Sequence, residues 1–124
     1  MSEPHTIAII DDDLDMREAV AGLLESIGYV VESFGSAEDF LSFPRRAQVD
    51  CAIVDIRMPG LSGLELQDAL TLQGLRPPII FLSSQADEAT RRRAAVGGAF
   101  GFVGKPVDDQ LLIACIEGAL KPRQ

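Results

Sequence analysis

Short apolar runs alternate along this chain with stretches whose apolar residues recur every three or four positions. Thr6–Ile10 (T-I-A-I-I), 29–34 (Y-V-V-E-S-F), 49–55 (V-D-C-A-I-V-D), Ile79–Ser83 (I-I-F-L-S) and 99–103 (A-F-G-F-V) read as five strands. The nearly continuous apolar character of the first is that of a strand covered on both faces. Between the runs, Met16, Val20, Leu23, Leu24 and Ile27 share one helical face, and Gly28 ends that helix as a left-handed cap. Ser36 caps a short helix carrying Ala37, Phe40 and Leu41, which Pro44 stops. Leu66, Ala69 and Leu70 mark a third helix ending near Gly74. Residues 87–96 form a fourth, closed by Gly97 and Gly98. Leu112, Cys115, Ile116 and Ala119 mark a fifth, capped by Asp108.

Five strands alternating with five helices, without long linkers or repeats, predict a parallel sheet with helices on both faces and right-handed crossovers. The expected fold is α/β, a flavodoxin-like doubly wound five-stranded parallel sheet of order 2-1-3-4-5, with residues 1–124 forming a single domain. Composition agrees: at 47% hydrophobic and 24% charged, a chain of 124 residues can bury a core. A net charge of −8 argues against contact with nucleic acid, which needs clustered cations. No apolar run approaches the roughly 18–20 residues of a membrane span, and the N-terminus lacks the layout of a secretion signal. A soluble, cytoplasmic protein is expected. Cys51 and Cys115 lie far apart in apolar patterns and read as buried, reduced thiols.

The chemistry gathers where the strands end. In the 2-1-3-4-5 order strands 1 and 3 are neighbours, and their C-terminal ends form the switch point. Asp11 and Asp12 leave strand 1. Asp55 leaves strand 3 inside 53–63 (I-V-D-I-R-M-P-G-L-S-G), just before a Pro-Gly turn. Three carboxylates so placed raise one another's pKa values, and acids at that density hold a hard divalent cation. Mg²⁺ takes one or two carboxylates, keeps several waters and leaves room for a phosphate oxygen. Ser83 adds a hydroxyl at the end of strand 4, and Lys105 an ammonium after strand 5. Asp13 and Asp15 read as first-turn helix acids favoured by the helix dipole.

On Asp11-Asp12, Asp55 with M-P-G-L-S-G (58–63), Ser83, Phe102 and Lys105-Pro106, the chain resembles the receiver domain of two-component response regulators, the nitrogen-fixation regulator subfamily in particular. The resemblance implies that Asp55 is a phospho-acceptor attacking the phosphohistidine of a sensor histidine kinase. It implies that Asp12 binds Mg²⁺ directly, Asp11 partly through water, and that the backbone carbonyl of Arg57 completes the protein ligands. Ser83 and Lys105 would meet phosphoryl oxygens, and Ser83 with Phe102 would form the switch. The Lys105–Pro106 bond is often cis in the family. Catalysis of phosphoryl transfer rests on positioning and electrostatics, so the protein assists its own phosphorylation and dephosphorylation without being an enzyme in the wider sense. A C-terminal output domain, and a phosphorylation-dependent homodimer through helix 4, strand 5 and helix 5, are implied partners.

Some positions depart from the family pattern. Ser84 stands where a smaller residue is commoner and is expected to crowd the site. Arg57 and Gln85 occupy positions that tune dephosphorylation. Arg91-Arg92-Arg93 on the fourth helix is either a solvated face or part of a partner surface, and it puts a hydrophobic dimer seam in doubt. Two rival readings stand beside the receiver. One is a haloacid-dehalogenase-like phosphatase with Asp11 as nucleophile, which leaves Asp55 unexplained. The other is a pseudo-receiver that works without phosphorylation, against which the complete residue set argues.

Overall fold

A computed structural model describes residues 3–84 and 87–121. Its elements run β1 (Thr6–Ile10), α1 (Leu14–Ser26), β2 (Val30–Phe34), α2 (Ala37–Leu41), a 3-10 turn (Arg46–Gln48), β3 (Cys51–Asp55), α3 (Gly63–Leu72), β4 (Ile79–Ser83), α4 (Glu88–Val96), β5 (Gly101–Gly104) and α5 (Asp109–Leu120). All strand pairs are parallel, in the order β2-β1-β3-β4-β5 that the alternation predicts.

The strands alternate their side chains between two cores, because successive residues of a strand point to opposite faces. Ile7, Ile9, Ile53, Ile80 and Leu82 pack with Val20 and Leu24 of α1 and with Leu112 and Ile116 of α5. Ala8, Ile10, Val54 and Phe81 pack with Phe40 of α2, Leu66 and Leu70 of α3, and Ala94 of α4. Each fully buried aliphatic side chain stabilises the fold by about 1.5–3 kcal/mol relative to exposure. Every residue of β3 and β4 is buried. No helix is long and apolar enough to cross a membrane among the described residues.

Local capping follows the sequence with small shifts. Ser36 and Asp108 cap α2 and α5 as expected, and Gly28 takes a positive φ of 102°. Asp13, expected as a first-turn acid, is instead the N-cap of α1, its side chain accepting the Met16 N–H. β2 begins one residue later than expected, because the Tyr29 N–H bonds the Leu24 carbonyl and completes the end of α1. β3 begins at Cys51, because the Val49 N–H closes the 3-10 turn on Arg46. β5 begins at Gly101, because the Ala99 N–H is drawn back to the Ala94 carbonyl at the end of α4. Cys51 is buried, and burial pushes its thiol up to about 12. Cys115 corrects the expectation of full burial: it is only partly covered, on the edge of the α5 core.

Candidate functional site

The sheet register assembles the site. Ile10 lies opposite Val54, so the chain emerges from β1 as Asp11 beside the last residue of β3, Asp55. Asp55 lies opposite Leu82, and Ser83 opposite Gly104, which sets Lys105 one step beyond. Asp11, Asp12, Asp55 and Lys105 thus come from three strand ends to one place. One carboxylate oxygen from each acid lies within 4.8 Å of those of the other two. The Lys105 ammonium is 3.1 Å from Asp11 Oδ2 and 3.2 Å from Asp55 Oδ2.

The residues differ in exposure and in hydrogen-bond partners. Asp11 is inaccessible to solvent. Its Oδ1 accepts the Asp13 N–H at 3.0 Å and its Oδ2 faces Lys105. Asp12 is exposed. Asp55 keeps a small opening, its side chain being 11% exposed. Its Oδ1 accepts the Arg57 N–H at 3.3 Å. Desolvation, and next the field of Asp11, hold the Asp55 pKa above the ordinary carboxylate value, although Lys105 and the Arg57 N–H pull it down. Burial of Lys105 opposes its charge, yet the hydrogen bonds and fields of Asp11 and Asp55 outweigh burial and leave its pKa raised.

Three carboxylates against one ammonium form a site short of positive charge. The donor set suits a hard divalent cation: it is all oxygen, and ligands on opposite sides of a magnesium-sized ion lie about 4.2 Å apart, twice a bond of about 2.1 Å. That distance is compatible with acids whose oxygens lie within 4.8 Å of one another.

The remaining candidates stand around this cluster. Ser83 is buried, and its carbonyl accepts the Lys105 N–H at 2.9 Å. The Lys105–Pro106 bond is cis. Phe102 sits outside the cluster, half-buried on the α4 face, its ring centroid 5.6 Å from that of Phe81, with the Arg91 guanidinium 5.3 Å above it. The Arg57 side chain is exposed. Ser84 is exposed as well. Gln85 lies outside the described residues. Arg91, Arg92 and Arg93 are all exposed, and Arg92 and Arg93 face Glu88 and Asp68 at 3.8 and 3.1 Å.

Two residues support the site in ways not read from the sequence, where Gly63 stood only as the end of the 58–63 motif. Arg17 donates to the Asp11 carbonyl at 2.7 Å and so fixes the loop that carries the buried acid. Gly63 opens α3 so close to β3 that a Cβ there would meet the Asp55 carbonyl at 2.5 Å. The signal for Gly63 was its place directly after the helix cap Ser62, where few helices need glycine. Arg17 carried none, since arginine is ordinary on a helix surface.

With this geometry in view, likeness to known proteins is specific. The family model of the response regulator receiver domain matches residues 7–117. The transcriptional regulatory protein TdiR of Thauera aromatica is 39% identical over 115 residues, covering 93% of this chain and 51% of TdiR. The response regulator protein TodT of Pseudomonas putida is 42% identical over 115 residues, covering 93% of this chain and 51% of TodT. The chain spans about half the length of these curated relatives. The solved structure of FixJ-N matches with a TM-score of 0.87 at 31% identity, over 99% of this chain and 98% of that one.

Proposed function

The chain belongs to the response regulator receiver family, and from that premise we propose that Asp55 is its phospho-acceptor, served by a Mg²⁺ site on Asp11, Asp12, Asp55 and the Arg57 carbonyl. The observation that carries this reading is the placement of Asp55: a carboxylate with a small opening to solvent, at the end of a fully buried strand, beside two more acids and an ammonium. An Asp55 oxygen attacks the phosphorus of a kinase phosphohistidine; the new O–P bond forms as the P–N bond to imidazole breaks. Lys105, already held between Asp11 and Asp55, is placed to follow a phosphoryl oxygen as charge builds on it. Ser83 contributes its hydroxyl from the end of β4. Bound Mg²⁺ supplies positive charge to the phosphoryl oxygens and relieves repulsion among the acids.

Asp11 is a poor alternative nucleophile. It is inaccessible, and both of its carboxylate oxygens already accept hydrogen bonds, which disfavours the phosphatase reading. The added phosphate, of charge about −2, biases the α4–β5 flank through Ser83 and Phe102. The partner upstream is a sensor histidine kinase, and the chain meets it in the cytoplasm. Downstream we extend to the full-length protein the output of its relatives described as transcriptional regulators, with a homodimer through α4, β5 and α5 as the route. This domain, acidic overall, makes no contact with nucleic acid itself.

The test is intact-mass spectrometry after incubation with acetyl phosphate and saturating Mg²⁺. The wild-type chain should gain one phosphoryl group, and Asp55→Asn none. Turnover of a phosphomonoester that is lost in Asp11→Asn but kept in Asp55→Asn would favour the phosphatase instead.

A further inference from the structure

We propose that Glu38, in α2, is a positioning residue for the Asp55 site: it holds the loop between β3 and α3, and with it the Arg57 carbonyl, in place beside the carboxylates. The inference rests on the roles given above to Asp55 and Arg57. That loop, 56–62, is secured at both ends. The Ile56 N–H donates to the Leu82 carbonyl at 3.1 Å and the Gly63 N–H to the Ile56 carbonyl at 2.9 Å. Ser62 is locked by a capping box with Glu65, each side chain accepting the other's backbone N–H.

The middle of the loop contains Pro59, which has no N–H to donate, and Gly60, at a φ of +77°. Here the loop meets α2. The Leu61 N–H donates to Glu38 Oε2 at 3.2 Å. The same oxygen stands so close to Gly60 that a Cβ would collide with it. The middle of the loop is thus tied to a carboxylate oxygen contributed from 23 residues away, while the φ of Gly60 by itself calls for glycine. Glu38 is itself exposed, but its neighbour Ala37 and the nearby Phe40 are fully buried, so the carboxylate projects from a fixed base. A charged acceptor also makes a stronger bond to a backbone N–H than a neutral one. Without this tie the Pro59–Gly60 segment gains freedom, and the Arg57 carbonyl spends less time where a cation would need it.

The experiment compares Mg²⁺ binding to the wild-type chain, Glu38→Ala and Glu38→Gln by isothermal titration calorimetry, with melting of the metal-free proteins alongside. Glu38→Ala should raise the Mg²⁺ dissociation constant about five-fold, because the freed loop must then be ordered as the ion binds. Glu38→Gln keeps an acceptor oxygen and should recover most of the affinity. Metal-free Tm should stay within about 2 °C, since the side chain is exposed. A lowered Tm with unchanged Mg²⁺ affinity in Glu38→Ala would mean a merely structural role and overturn the inference alone. A wild-type chain that binds no Mg²⁺ would overturn the reading of the site and this inference with it.

Discussion

The seam between β1 and β3 and the flank formed by α4 and β5 are built from different materials. Along the seam, Ile7–Ile10 and Cys51–Val54 are wholly inaccessible, and charge begins only where the strands end. On the flank, Ala94 is the one buried side chain of α4 and Val103 that of β5 among the described residues, while Val96 is 84% exposed. What fastens α4 is largely polar. Buried Gln67 of α3 donates to the Ala94 carbonyl at 3.1 Å, Arg93 pairs with Asp68, and Arg91 covers the Phe102 ring. Displacing an apolar seam opens cavities, whereas exposed ion pairs trade for water at small cost. The contrast suits a division of labour. A carboxylate that must hold close relations to its neighbours stands on the rigid part, and the element proposed to move lies on the part easily released.

The sharpest way to break this comparison is to truncate one apolar residue on each side. Ile53→Ala should cost about 3–4 kcal/mol in urea unfolding, and Val96→Ala no more than about 0.5 kcal/mol. Similar costs would mean that the flank is packed as tightly as the seam. Next in size is the cation. Mg²⁺ at a hundredfold excess over its dissociation constant should stabilise the fold by about 2.7 kcal/mol, read as a rise in Tm. Asp12→Ala should remove most of the rise; an undiminished one would place the ion away from the seam.

Gln67→Leu comes third. It should cost about 1–2 kcal/mol and speed amide exchange in α4 while β3 amides keep their protection. Equal loss of protection in both would show that seam and flank open together.

The smallest effect concerns pH. The pKa of Asp55 is raised in the folded protein, chiefly by desolvation and then by Asp11. A raised folded-state pKa means that this group's contribution to stability is full below its unfolded pKa and is lost as pH rises through the folded one. At pH 7 the ionised carboxylate therefore works against the metal-free fold. Asp55→Asn should raise the metal-free Tm at pH 7, and the gain should shrink as pH falls into the carboxylate range. A variant that melts lower than wild type at pH 7 would show that the bond to Lys105 dominates.

The seam was legible in the sequence because its signals are local. Apolar runs such as T-I-A-I-I end directly in the acids, and the strand order then brings Asp11 and Asp55 together. The flank was read less well for a physical reason. Ala99 and Phe100 look like strand residues, but the start of β5 is decided by the pull of the Ala94 carbonyl on the Ala99 N–H. Gln67 resembles any polar residue on a helix until its partner, 27 positions away, is known. Glycines that allow close approach, such as Gly63, are visible as residues while their reason is tertiary.

The central claim is that Asp55 accepts a phosphoryl group in a pocket completed by Mg²⁺. Fluorine NMR of the protein with beryllofluoride, a phosphoryl mimic, tests it most directly. The account predicts bound-fluoride resonances that need Mg²⁺ and vanish in Asp55→Asn while Asp13→Asn keeps them. Bound resonances that survive in Asp55→Asn, or none from the wild-type protein at saturating Mg²⁺, would contradict it.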